Sequence, residues 1–432
     1  MKWGCVWLSL VCYVGIGLAI SRAEEAQPLT LKEAREITLR NHPKISEAEL
    51  EALASKQVVT QVRAGFLPNV MFNATAVDAF ESNTRLAAGG LNNPSVYDRN
   101  AEGLTVTQML TDFGRTAHLV NSSRLYSRAA NANSEATRDE VLLQVDVSFY
   151  TALKAQTVLD VARQTLETRK LLLDQVTALA SNKLRSELDL RFSEVTYEEG
   201  RLLVAQAEND LEQAFNSLST LLGDREQHTY RLIEEPATAV IPAEPPGLVD
   251  MALSQRPDLA RLRLERDAAL QYARAQKALN YPTVSAFGAG GFIPVRDTAH
   301  FDDRYAAAGV NLSLPVFDGG LNSAKRTEAD LRAQAAGERL RDAENTVIHD
   351  VRNASLNVNY AHERLGLTQK LFDNASQAFD LAQARYKLGS SSIVELSQAQ
   401  LSKTEAEIAH TSAMYEYEIQ QAILNFEVGA TQ

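Results

Sequence analysis

The sequence predicts a mainly α fold with a small β part, in which duplicated long coiled-coil helices are joined by short strand hairpins. Three observations predict it. The 432-residue chain repeats itself, two long stretches without proline carry apolar residues every seven positions, and each repeat holds segments whose side chains alternate between two faces.

The repeat is read from matched landmarks. Pro43 matches Pro257, Leu50 matches Leu264, Ala64 matches Ala278, and "LPNV" at 67–70 matches "YPTV" at 281–284, all at an offset of 214. Asp112 and Asp318, Ser186 and Ser392, Leu218 and Leu424, and Gly223 and Gly429 match at an offset of 206. The second copy therefore has the shorter loop between its proline and aspartate landmarks.

Proline breaks helix interiors, and residues 113–235 and 316–432 contain none. Val145, Ala152, Leu159, Leu166 and Leu173 recur every seven residues, as do Val351, Val358, Leu365, Phe372, Phe379 and Tyr386. That spacing is coiled-coil packing with left-handed supercoiling. The first repeat, 24–235, is expected to hold a hairpin near 69–110, a long helix over 114–181 and a returning helix over 187–222. The second, 248–432, is expected to hold a hairpin near 283–314, a long helix over 320–388 and a returning helix over 393–428, with a linker at 236–247 between the repeats. Residues 104–107 and 310–314 alternate in the period of a strand, and polar loops near 81–100 and 293–304 separate the paired strands.

Residues 1–23 read as a secretory signal: Lys2 opens a basic start, Val6 to Ile20 is mostly apolar, and Ser21-Arg22-Ala23 offers a cleavage site. Both cysteines, Cys5 and Cys12, lie inside it, so no disulfide or thiolate metal site is expected. Losing Lys2 and Arg22 takes the net charge from -12 to -14, and an acidic chain without basic clusters disfavours nucleic acid as a partner. The seven histidines are scattered, "GAGGF" at 288–292 lies in an alternating segment, and no nucleophile has a plausible base. No cofactor, metal or enzymatic activity is expected.

Four strands from two hairpins cannot hide their edges, and in lipid an open edge leaves backbone groups unpaired. Three copies would supply twelve strands, enough for a closed barrel. Two soluble hairpins capping a helical bundle, in a periplasmic coiled-coil scaffold or adaptor without a channel, remain the alternative on patterning alone.

A duplicated chain with "NHP" and "QRP" early in each half, "LPNV" and "YPTV" before the strands, "DFG" and "FDGG" before the long helices and "RYKLGSSSIVEL" at the second turn resembles the TolC-like outer-membrane efflux family. The resemblance covers essentially the whole chain after residue 23. It implies a homotrimer with a trimeric α-barrel reaching into the periplasm and a 12-stranded transmembrane β-barrel in outer-membrane lipid, four strands per protomer. The linker would lie in an equatorial region. The implied function is the exit duct of a tripartite pump or type I secretion system, docked to a periplasmic adaptor and through it to an inner-membrane transporter.

The turns at 181–192 and 388–398 then become the periplasmic tip. Ser186 with Asp189 and Ser392 with Glu395 fit a capping box or its near relative, and Gly389 suits a left-handed helix end. The resemblance makes Asp189, Glu395, Tyr386 and Arg185 candidates for a closed aperture, and Lys183, Ser186, Gly389, Ser390, Ser391 and Ser392 candidates for adaptor docking. Capping for the two acids and seam packing for Tyr386 are equally consistent with the residues. The family's studied members carry an arginine at the position of Ser391 and a second acid at that of Gln398, and this chain has neither.

Overall fold

The computed structural model describes residues 27–77, 99–224, 230–234, 245–295 and 303–430. The leader expected over 1–23, most of both interstrand loops and most of the linker lie outside the described residues.

In chain order the elements are β1 (Gln27–Leu29), α1 (Leu31–Asn41), α2 (Pro43–Arg63), β2 (Asn69–Val77), β3 (Arg99–Thr111), α3 (Arg115–Ser181) and α4 (Glu187–Leu222). There follow β4 (Tyr230–Leu232), α5 (Pro245–Gln255), α6 (Pro257–Lys277), β5 (Thr283–Val295), β6 (Arg304–Ser313), α7 (Leu321–Lys387) and α8 (Ile393–Glu427). The long helices α3 and α7 each have 67 residues, so each is a rod of about 100 Å. Their heptad positions face inward: Val145, Ala152, Leu159, Val351, Val358, Phe379 and Tyr386 are buried, and Leu166, Leu173, Leu365 and Phe372 are half-buried.

Local chemistry sets the helix starts. Thr30 accepts from Glu33 N and the Glu33 carboxylate accepts from Thr30 N, closing a capping box at α1. Pro43 and Pro257 stand in the first turn of α2 and α6, where the missing amide hydrogen is not needed. At the corners from strand to long helix, Asp112 accepts from Thr116 N at 2.7 Å and Asp318 accepts from Asn322 N at 3.0 Å. The aspartates in "DFG" and "FDGG" are thus what caps the two rods.

The duplication extends into the packing. Val145, Ala152, Leu218 and Leu222 share one core cluster with Ala34 and Phe149. Their repeat equivalents Val351, Val358, Leu424 and Val428 share another with Leu248 and Leu259. Gly223 ends α4 against Asn41, and Gly429 follows α8 against Gln255 in the same manner. The parallel pair of β1 with β4 ties the start of the first repeat to the chain beyond α4.

The four longer strands form one antiparallel sheet in the order β2-β3-β5-β6, so the two hairpins join and β2 and β6 are left as edges. With 9, 13, 13 and 10 residues, the strands meet the length of about 9–11 residues needed to cross a hydrocarbon core. Register divides the side chains between two faces of different character, with Glu102 and Arg304 at the outer end of the mainly apolar face and Met71, Phe287 and Tyr305 on the mainly polar one. Val70, Phe72, Leu104, Val106, Val310 and Leu312 fall on one face, while Asn73, Thr75, Thr105, Thr107, Ser285 and Asn311 fall on the other. The apolar face is open in the single chain, where Phe72, Val310 and Leu312 are each about two-thirds exposed. Among the described residues no helix is long and apolar enough to cross a membrane.

Candidate functional site

Far from the sheet, the chain reverses twice: once between α3 and α4 and once between α7 and α8. The two turns share a backbone plan. Lys183 and its repeat equivalent Gly389 both take positive φ, 59° and 72°. Leu184 N donates to Leu179 O and Ser390 N to Arg385 O, each at 2.9 Å, so both rods end with the same six-residue closure. Glycine adopts this conformation freely; lysine adopts it under strain.

After each turn a serine restarts the helix. At Ser186 the capping box is complete: Ser186 Oγ accepts from Asp189 N at 3.1 Å, and the Asp189 carboxylate accepts from Ser186 N at 3.4 Å. At Ser392 only half of it forms, with Ser392 Oγ accepting from Glu395 N at 3.2 Å. Of the two forms expected, Ser392 thus shows the near relative of the capping box, and Ser186 the capping box itself. The Glu395 carboxylate instead accepts from Arg385 Nη1 at 2.8 Å, because a full charge one helix away outcompetes a backbone amide. Arg385 Nη2 also donates to Ser390 O, and Ser390 Oγ donates to Arg385 O, so Arg385 braces the whole second turn. Ser391 Oγ reaches Ala382 O at 3.5 Å.

The two turns are joined by Arg185 and Tyr386. The Arg185 guanidinium stacks 4.4 Å from the centre of the Tyr386 ring and donates to Tyr386 O at 3.3 Å. The ring sits in a small core of Val176, Phe379, Ala382, Ile393 and Leu396, which draws residues from α3, α7 and α8. Burial pushes the Tyr386 phenol up; the Arg185 charge works against this and the Asp189 charge adds to it. The seam position and the contact with Arg185 are therefore one arrangement. Around it, Leu184, Leu188 and Leu388 stand exposed, Leu388 at 84%. Arg385 was missed in the sequence, since nothing in "ARYKLGSS" marks it from a solvated charge until the chain folds back to bring Glu395 beside it.

Sequence and structure comparisons identify the family of the chain. The model of the outer membrane efflux protein family matches residues 34–224 and 248–430, which are the two repeats. The chain is 22% identical to Outer membrane protein TolC of Salmonella enteritidis, over 96% of this chain and 85% of that one. It is 25% identical to Outer membrane protein OprJ of Pseudomonas aeruginosa, over 88% and 79% of the two chains. The crystal structure of the CmeC outer membrane channel of Campylobacter jejuni superposes with a TM-score of 0.81 at 16% identity, covering 93% of this chain and 86% of that one. The chain belongs to the outer membrane efflux protein family and shares the fold of the CmeC channel.

Proposed function

We propose that three copies close into one duct whose periplasmic aperture is formed by the two turns, and that contact with a periplasmic adaptor opens it. The observation that carries the duct is the sheet: four strands of crossing length, one apolar and one polar face, and two unpaired edges. In lipid those edges must pair with other strands, and three protomers give the twelve that a barrel of useful bore needs. The apolar face then meets lipid and the polar face lines the lumen. The duct serves a tripartite efflux pump or a type I secretion system, taking its cargo from an inner-membrane transporter.

At the tip, Arg185 is the fastening between the α3/α4 pair and the α7/α8 pair of one protomer. Separating the pairs requires the guanidinium to leave the Tyr386 ring, while the Arg385–Glu395 contact keeps the second turn rigid as it moves. In a trimer Asp189 forms a ring of negative charge that favours cations in the narrowest part, while the charge of Glu395 is balanced by Arg385 beside it. Lys183, Ser186 and Gly389 to Ser392, with the exposed leucines beside them, present the surface that an adaptor grips.

Two measurements test this. Cell fractionation should recover a heat-modifiable, detergent-requiring trimer from the outer membrane; a soluble monomer would rule out the duct and restore the scaffold alternative. In planar bilayers, Arg185→Ala trimer should conduct more than the natural protein, and unchanged conductance would remove Arg185 from the closing mechanism.

A further inference from the structure

The polar face of the sheet carries two aromatic side chains among the described strand residues, Phe287 on β5 and Tyr305 on β6, and both lie over glycines. Gly309 stands opposite Phe287 in the register, and a Cβ built on it would fall 2.8 Å from the ring's Cζ and 2.9 Å from a Cε. Gly291 stands opposite Tyr305, with Gly103 opposite Gly291 on the next strand. A Cβ on Gly103 would run into the Tyr305 hydroxyl before anything else, whereas one on Gly291 would meet the β3 backbone at Glu102 O and Gly103 Cα first and the Tyr305 hydroxyl only after them, at 2.8 Å. Tyr305 therefore lies across two neighbouring strands rather than standing away from its own.

A strand side chain ordinarily projects away from the sheet. On the inner wall of a barrel this would aim the ring at the axis. Here missing Cβ atoms leave shelves that let each ring fold down onto the wall, as aromatics do when they cover glycines in a sheet. The rings remain 45% and 40% exposed, so they cover the glycines without being enclosed. The rows are stacked along the strands: Tyr305 is one residue from the start of β6, near the outer loops, and Gly309 is four residues deeper.

We propose that Gly309 and Gly103 set the bore of the outer part of the duct by storing Phe287 and Tyr305 flat against its wall. This rests on the reading that the polar face lines the lumen. Filling a shelf turns three rings per level inward and makes an aromatic constriction that bulky cargo cannot pass and small solutes can.

The experiment uses single cysteines, since both natural ones lie at positions 5 and 12. Ser285→Cys is on the polar face, deeper than both rings, and Ala286→Cys is its neighbour on the apolar face. Intact cells are treated with a small sulfonated maleimide and with a much bulkier polyethylene-glycol maleimide. Both reagents should label Ser285→Cys and spare Ala286→Cys. Adding Gly309→Val should slow the bulky reagent about tenfold and leave the small one unchanged, because pore diameter selects by size. Adding Phe287→Ala to that variant should restore bulky labelling. A valine that leaves the ratio of the two rates unchanged overturns the proposal, as does a slowing that Phe287→Ala fails to relieve. Equal labelling of Ser285→Cys and Ala286→Cys overturns the lumen reading itself, and the proposal with it. Heat-modifiable trimer confirms assembly of each variant.

Discussion

Tyr386 has a buried hydroxyl without a hydrogen-bond partner among the described residues, while its ring is packed on one side and stacked by Arg185 on the other. The ring, not the hydroxyl, does the fastening. Tyr386→Phe should therefore leave the unfolding midpoint and bilayer conductance near those of the natural protein, whereas Tyr386→Ala should destabilise by about 3–5 kcal/mol through the lost core volume. Lys183 gives a second residue-scale test, because it holds a left-handed conformation that Gly389 supplies in the other turn. Lys183→Gly should stabilise the first turn by about 1 kcal/mol, read as a rise in the denaturation midpoint; no gain would mean that the lysine side chain contributes a compensating contact. Asp258 gives a third. Burial works against its ionisation, but hydrogen bonds and charge from Arg256 outweigh this and hold its carboxyl below the ordinary range. The native state then binds fewer protons than the unfolded chain, so this contribution is present above the unfolded pKa of about 3.9 and is lost as pH falls through the folded value. Glu427, the other partner of Arg256, is pushed up by burial despite that arginine, so its contribution has the opposite sign. Asp258→Asn should flatten the acid limb of a melting-temperature profile below about pH 5, and an unaltered limb would assign that loss to other carboxylates.

At the scale of elements, the repeat is carried by helix ends as much as by apolar periodicity. Gly223 takes φ of 72°, and a Cβ there would lie 2.9 Å from the Asn41 carbonyl oxygen, so chain conformation and close packing both exclude a side chain. Gly223→Ala should cost at least about 1–2 kcal/mol, measurable by thermal unfolding of detergent-solubilised trimer. The spacing of seven was enough to read α3 and α7 as rods, and the proline-free stretches fixed how far they could run. What periodicity could not show was how the turns differ. Ser186 and Ser392 are followed by an acid at the same distance, and only in the folded chain does Arg385 take Glu395 away from its amide.

On the scale of the whole molecule, the sheet is incomplete in one protomer: its two faces are of opposite character and its two edges are open. Adjacent positions on β6 should respond in opposite ways to charge. Val310→Arg, on the apolar face, should destabilise the barrel by about 2–4 kcal/mol and reduce the yield of heat-modifiable trimer from the outer membrane, while Asn311→Arg should assemble normally. Equal loss in both variants would show that the faces are not divided between lipid and lumen.

The sequence by itself determined the class of the molecule. Duplication, heptad spacing and alternation are local periodicities, and each is enforced by the geometry of a helix or a strand regardless of what lies across from it. The strand order, with the second strand of one hairpin beside the first strand of the other, was decided only by tertiary structure, as was the sorting of four short alternating segments into two common faces. The same holds for Arg185 upon Tyr386 and for the rings that lie over Gly309, Gly291 and Gly103. Those contacts join residues that are tens to hundreds of positions apart, and their energy depends on distances of a few ångströms that no spacing along the chain encodes.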